Sequence, residues 1–400
     1  MLKQLAKWQK RFLMAKLKLV NMTEKDLGFL LALIRFPKFG PIRLAKMRGF
    51  FDSMEAAFLA GRNDLLAAKL EPKVVEEFLA VRAKLSPEEE LEKLRQSGAV
   101  AIPFTEPEYP PLLKKIYDPP AVLFVRGQLP SSELLSLAVV GSRKITDYGT
   151  RIIESIVEPI AASNVVIVSG LAYGVDKLAH EAALKVGGKT IAVLGSGVDN
   201  DNIFPTDNRE LAHRIIESGN AVVSEFPIGS SPLKQNFPIR NRVIAGLAHG
   251  TLIVEAAKTS GSLITARAAL EAGREVFAVP GQINSEGSEG TNQLLKSGAH
   301  VVTEANDILS VLGLTARADV DLNTKTPRSI SPIIKVIKTP PIPGSQAEAE
   351  ILKLLGNEPI HADDLARNTG KKISEISHLL TLMEMKGSAR HVGGLYYTIG

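Results

Sequence analysis

Four short turns of small residues recur at equivalent places along the chain. Gly141-Ser142-Arg143 closes the apolar run SLAVV, and Ser169-Gly170 closes VVIV. Gly195-Ser196-Gly197 follows TIAVL, and Ser260-Gly261-Ser262 follows TLIVEAAKT. A helix-like pattern starts after each. A buried strand that ends in such a turn before a helix leaves backbone N–H groups at the sheet edge, and the helix dipole adds partial positive charge there. One turn of this kind is only a turn; four in register point to an edge that binds phosphates. The run FPIRNR, residues 237–242, adds cations. Pro238 suits the first turn of a helix, yet that turn also carries Arg240, Asn241 and Arg242. A cation at a helix N-terminus opposes the macrodipole at a cost of about 0.3–1 kcal/mol, so stability alone would favour acids. Pairing with Glu225 or Glu255 is the structural explanation of these arginines, and anion recognition the functional one. Arg143 and Lys258 are placed on the same edge.

Other chemistry is thinly represented. Flat rings that stack on bases strengthen single-strand binding by roughly 1–3 kcal/mol each, but only 5% of residues are aromatic. Tyr173, Phe204 and Phe237 fall in or beside the edge loops, with burial in the core as the default reading for each. His180, Asp176 and Glu255 are the titratable residues of this stretch. His180 falls inside a helix, where packing or capping is the commoner role. No His/Asp/Glu cluster has metal-ligand spacing, so no metal, no cofactor and no catalytic residue is expected. Gly195-Ser196-Gly197 lacks the third glycine of a dinucleotide fingerprint, and Gly188-Lys189-Thr190 has Ala183 where a Walker A loop needs glycine.

The elements that must position these residues alternate. Strands are predicted near 136–140, 165–169, 190–194, 221–225, 251–255, 275–279 and 300–303, with helices between. That is the pattern of a doubly wound, extended Rossmann-like parallel α/β sheet. Residues 99–127 contain two further strands separated by Pro107, Pro110, Pro111, Pro119 and Pro120, and are expected to widen the margin of the same sheet, giving a domain over 99–314. Residues 23–98 are helical. Within them FPKFGPIRLAKM opens a helix at Gly40-Pro41 that bears Arg43 and Lys46, similar to a helix-hairpin-helix turn in a SAM-like domain. A proline-rich linker follows at 315–344. Residues 345–400 read as three helices and a hairpin, a winged helix, with Lys371 and Lys372 opening the third helix. This last stretch has six basic and seven acidic residues, so protein contact is at least as well supported as duplex DNA.

Composition bounds the rest. A chain of 400 residues with 45% apolar content builds two or three domains. No run of 18 apolar residues spans a membrane, and no cysteine offers a disulfide or thiolate site, which fits a cytoplasmic setting. The net charge of +5 is concentrated in residues 1–22, a basic amphipathic extension with Lys3, Lys7, Lys10, Arg11, Lys16 and Lys18. Without those six the chain has 42 basic against 43 acidic residues, so nucleic-acid binding needs a local patch. Met22-Thr23 would itself make a sensible start, because Thr23 before acidic residues suits a helix N-terminus.

Five motifs together resemble one family. VVGSR (139–143), SGLAYGVDKLAH (169–180), GGKTIAVLGSGVD (187–199), FPIRNRVIAGL (237–247) and EAAKTSGSLITARAALEAGREVFAVPG (255–281) stand in the order of the DprA (Smf) family. Those bacterial DNA-processing proteins bind single-stranded DNA and load the RecA recombinase. The resemblance implies that the protein protects incoming DNA and hands it to RecA during transformation or recombination, and a homodimer is expected because one pocket covers few nucleotides and pairing two extends the track. The rival reading is an enzyme similar to nucleoside-monophosphate phosphoribohydrolases, or a nucleotide sensor, on the same fold. The turn Ser260-Gly261-Ser262 lacks the double glycine and the downstream acid of those enzymes.

Overall fold

The computed structural model describes residues 22–314, 346–355, 360–386, 388–393 and 396–399. They fall into two compact units divided between Asp319 and Val320. The basic extension up to residue 21 and the proline-rich linker lie outside the described residues.

Among the described residues six α-helices open the first unit: Glu24–Ile34, Pro41–Phe50, Met54–Leu59, Arg62–Ala67, Pro72–Val81 and Pro87–Ser97. Thr23 caps the first, its Oγ1 accepting from the Asp26 amide at 3.2 Å. Ser86 and Pro87 start the last in the same way, and Gly98 ends it in the left-handed conformation. Phe36, Phe39, Phe58 and Phe78 pack in the centre, with ring centroids 4.7–6.0 Å apart. At the Gly40-Pro41 turn both cations are engaged internally. Arg43 bonds Glu71 and the Lys38 carbonyl, each at 2.8 Å, and Lys46 donates to the Lys69 carbonyl at 3.0 Å.

Nine strands form the main sheet: β1 Val100–Pro103, β2 Val122–Gly127, β3 Ser136–Val140, β4 Val166–Ser169, β5 Thr190–Leu194, β6 Ala221–Ser224, β7 Gly250–Ile253, β8 Glu275–Ala278 and β9 His300–Val301. Their order is β1-β2-β6-β5-β4-β3-β7-β8-β9. The seven from β6 to β9 are parallel; β1 and β2 add an antiparallel margin, with Val125 opposite Val223. β3 to β7 are buried throughout, as strands covered on both faces must be. Alternate residues serve opposite layers. Leu137 and Val139 pack with helices Val175–Lys185 and Ala305–Val311, while Ala138 and Val140 pack with Asn236–Gly246 and Ser262–Glu271. A third apolar cluster joins Ala192, Leu194 and Val222 to the opening helices. The first parallel strand, β3, lies between β4 and β7, so the winding reverses there. Ligands of such sheets bind outside the carboxyl ends near this reversal.

The second unit has helices Gln346–Leu354, Ala362–Thr369 and Ile373–Met385 with a small sheet, β10 Ile360–His361, β11 Ala389–Gly393 and β12 Tyr396–Ile399, ordered β10-β12-β11. Three helices with a wing of strands match the sequence pattern; β10 was too short to show there.

Candidate nucleic-acid interface

The loops after β3, β4 and β5 and the start of the Asn236–Gly246 helix enclose a pocket at the carboxyl edge of the sheet. Arg143, Gly170, Ala172, Tyr173, Phe204, Pro205, Phe237 and Arg240 line it. Tyr173 and Phe204 are more than 40% exposed and Phe237 is half-buried, so the default expectation that these rings sit in the core does not hold. The Tyr173 hydroxyl donates to Asp207 at 3.0 Å. Phe204 and Phe237 lie 5.8 Å apart, tilted by 50°. The guanidinium carbons of Arg143 and Arg240 are 5.7 and 5.9 Å from the Phe237 ring centroid, within cation–π range.

Arg240 is only 3% exposed. It donates to the Gly170 carbonyl at 2.7 Å and to the Val193 carbonyl, and its Nε reaches Asn241 at 3.2 Å. Burial lowers its pKa to about 10; buried Asp176 opposes that shift and exposed Arg143 adds to it. It is therefore charged at neutral pH. Asp176 has its own pKa raised by burial, while Arg240 and the Gly170 and Ala172 amides pull it down. Two glycines make this arrangement fit. A Cβ on Gly170 would lie 2.7 Å from the Arg240 guanidinium, and one on Gly195 would lie 2.9 Å from the Phe237 ring.

Part of the backbone expected to cradle an anion at the small-residue turns is already engaged within the chain. The Gly170 amide donates to Asp176 at 3.1 Å, the Gly197 amide to the Ser230 carbonyl at 2.8 Å and the Ser262 amide to Ser260 Oγ at 3.3 Å. Ser169 and Ser196 spend their hydroxyls on the Val139 and Asn202 carbonyls, and Ser142 bonds Lys144. Side chains add cations to this edge. Arg143, Lys144, Lys234 and Lys258 are exposed and form no ion pair among the described residues.

Arg242 is separated from this group. It bonds Glu225 and, through Nε at 3.1 Å, Asp118, so the structural explanation applies to this arginine. Burial lifts the Glu225 pKa to about 7, with Arg242 pulling the other way. Glu255 takes neither arginine. Its two oxygens accept from the amide at 3.0 Å and the hydroxyl at 2.5 Å of Thr146, the residue that caps the helix beginning at Asp147. Asn241 instead reaches across to the Gly261 carbonyl at 3.3 Å, tying the FPIRNR helix to the Ser260–Ser262 turn. His180 is wholly buried; its Nδ1 meets the Thr190 hydroxyl at 2.7 Å, and that hydroxyl donates onward to Ile167.

In the winged helix Lys371 pairs with Glu350, Arg367 with Asp364 and Lys386 with Glu348. The third helix, Ile373–Met385, contains no Lys or Arg. Among the described residues no group of acids and histidines has metal-holding geometry, and no helix is long and apolar enough to cross a membrane.

The family profile of DNA recombination-mediator protein A matches residues 100–313, the whole of the sheet that frames the pocket. The chain belongs to the DprA (Smf) family. A second profile of that family, the DprA winged helix domain, matches residues 338–394. Protein Smf of Escherichia coli is 43% identical over 305 residues, 76% of this chain and 78% of that protein. Protein Smf of Synechocystis is 32% identical over 404 residues, 94% and 99% of the two. Among solved structures, DNA processing protein A of Streptococcus pneumoniae aligns with a TM-score of 0.61 at 34% identity, covering 73% of this chain and 98% of that one. Within a DNA-processing family, a pocket walled by rings and flanked by unpaired cations becomes a candidate nucleic-acid interface.

Proposed function

We propose that the first unit binds single-stranded DNA along the carboxyl edge of its sheet and that the protein protects such strands and passes them to the RecA recombinase. One observation carries the reading: the guanidiniums of Arg143 and Arg240 both lie over the Phe237 ring, with Phe204 and Tyr173 opening to solvent in the same pocket. Rings of this kind stack on an unpaired base, whose faces a duplex hides, while arginines neutralise the neighbouring phosphates. The hand-over to RecA, the homodimer that lengthens the track and the cytoplasmic setting rest on family membership.

The protein acts in this reading as a binding protein and not as an enzyme. A phosphoribohydrolase needs a free carboxylate near the glycosidic bond. Glu255, two residues beyond β7, has both oxygens on Thr146, Glu225 beside β6 pairs with Arg242, and Asp176 is buried against the Gly170 amide. The winged helix serves in this reading as a protein-contact module, since Arg367, Lys371 and Lys386 pair with its own acids and its third helix contains no Lys or Arg.

Titrating a labelled oligothymidylate and a duplex of equal length with the full chain tests the proposal. Single strands should bind tighter, with log K falling against log salt by about 0.7 per neutralised phosphate. Equal affinity for both would count against the pocket as the site.

A further inference from the structure

The pocket wall formed by Phe204 and Pro205 ends a loop that has little structure of its own. Between β5 and Phe204 it contains one short 3-10 turn, Asn200–Asn202. It leans instead on the loop after β6: the Gly197 amide donates to the Ser230 carbonyl at 2.8 Å, and Asp199 accepts from the Gly229 amide at 2.7 Å. The second loop is fastened in turn from the opening helices. The Arg35 guanidinium, at the end of the first helix, donates through Nη2 to the Ile228 carbonyl. Glu90 aims it, accepting from Arg35 Nε at 2.6 Å and from Lys93 at 2.8 Å. Val198, Ile203 and Ile228 are buried in the same apolar cluster as Leu30, Phe36 and Phe78. A line of contacts therefore runs from Glu90 through Arg35 and residues 228–230 to Gly197 and Asp199, in the loop that leads to the aromatic wall, and Arg35 is not among the residues that line the pocket.

We infer that Arg35 is a positioning residue for single-strand binding: by fastening the Ile228–Ser230 loop it holds Phe204 ready for a base, so that less ordering is left to the moment of binding. This rests on the single-strand reading above. It also gives the opening helices a part in that function without any DNA contact of their own, in keeping with the internal pairing of Arg43 and Lys46.

Arg35→Met in the full chain, read by amide hydrogen exchange without DNA and by oligothymidylate titration, tests the inference. Exchange at Gly197 and Gly229 should quicken, and affinity should fall about tenfold. The salt slope should stay unchanged, because no phosphate contact is removed. Arg35→Lys, which keeps a donor, should recover part of both. Unchanged exchange, unchanged affinity despite faster exchange, or a shallower salt slope would each overturn it. If Arg35→Met does not fold, Glu90→Gln weakens the same tie more gently, with the same outcomes at smaller size. Should the wild-type chain bind no single strand, the functional reading fails, while the exchange result still supports or overturns the tie itself.

Discussion

Replacing Arg240 should cost stability and binding together, whereas replacing Arg143 should cost binding alone. Arg240 is buried, donates to the Gly170 and Val193 carbonyls and faces buried Asp176. Arg240→Met leaves two buried carbonyls without their donor, at about 1–3 kcal/mol each, and removes the charge that favours the Asp176 carboxylate, about 3–5 kcal/mol together. For a unit of this size each kcal/mol lowers Tm by about 2–4 °C, so the fall should be about 6–20 °C. Arg240→Lys should recover little, because Nη1, which donates to both carbonyls, lies one bond beyond the reach of a lysine ammonium. Arg143 is exposed and meets only the Phe237 ring face. Arg143→Ala should therefore change stability by no more than about 0.5 kcal/mol while making the salt slope shallower by about 0.7. Thermal unfolding by circular dichroism beside fluorescence-anisotropy titration separates the two. An Arg240→Met protein that melts with the wild type, or an Arg143→Ala protein that binds like it, would refute this division of labour.

His180 should make stability fall with acid: burial lowers its folded pKa to about 3, below the usual 6.5, so the stability present above pH 6.5 is lost as pH drops, by about 1.4 kcal/mol per unit. In His180→Gln that component should vanish, and a wild-type-minus-variant difference independent of pH would exclude it. A chain ending at Leu314 should keep most single-strand affinity, since the pocket lies wholly in the first unit; a loss of 100-fold, about 2.7 kcal/mol, would bring the winged helix into the primary site. Incubation with AMP, CMP, GMP or UMP should release no free base, and turnover abolished by Glu255→Gln would restore the enzyme reading.

The alternation of strands and helices was legible because the central parallel strands, β3 to β7, are short, largely apolar runs with glycine close by. The predicted strand positions at 136–140 and 190–194 coincide with β3 and β5, and the proline-rich stretch does deliver an antiparallel margin. The site was legible in its location more than in its working. Glycine at a strand end reads equally as a gap for an anion and as a gap for a side chain; only three dimensions show Arg240 over Gly170 and Phe237 over Gly195. Arg240 and Arg242 stand two apart in sequence, about 200° round a helix. That rotation sends one to the pocket and the other to Glu225 and Asp118. The tie from Arg35 to Ile228 spans 193 positions and ends on a backbone carbonyl, which leaves no residue-type signal to read.

The antiparallel margin has a bearing on how the protein is made. β2 is the only bridge between β1 and the rest of the sheet, and its partner there is β6, about a hundred residues later. On the ribosome, at about 5–20 residues per second, the apolar Val122–Val125 edge must wait several seconds or more before Ala221–Ser224 emerges. An open, apolar strand edge is a template for pairing with the wrong chain. The prolines at 119 and 120, just before β2, cannot extend that ladder, so they limit the length of edge exposed during the wait. Slowing synthesis between residues 127 and 220 should therefore raise the aggregated fraction of the newly made chain more than slowing it after residue 224.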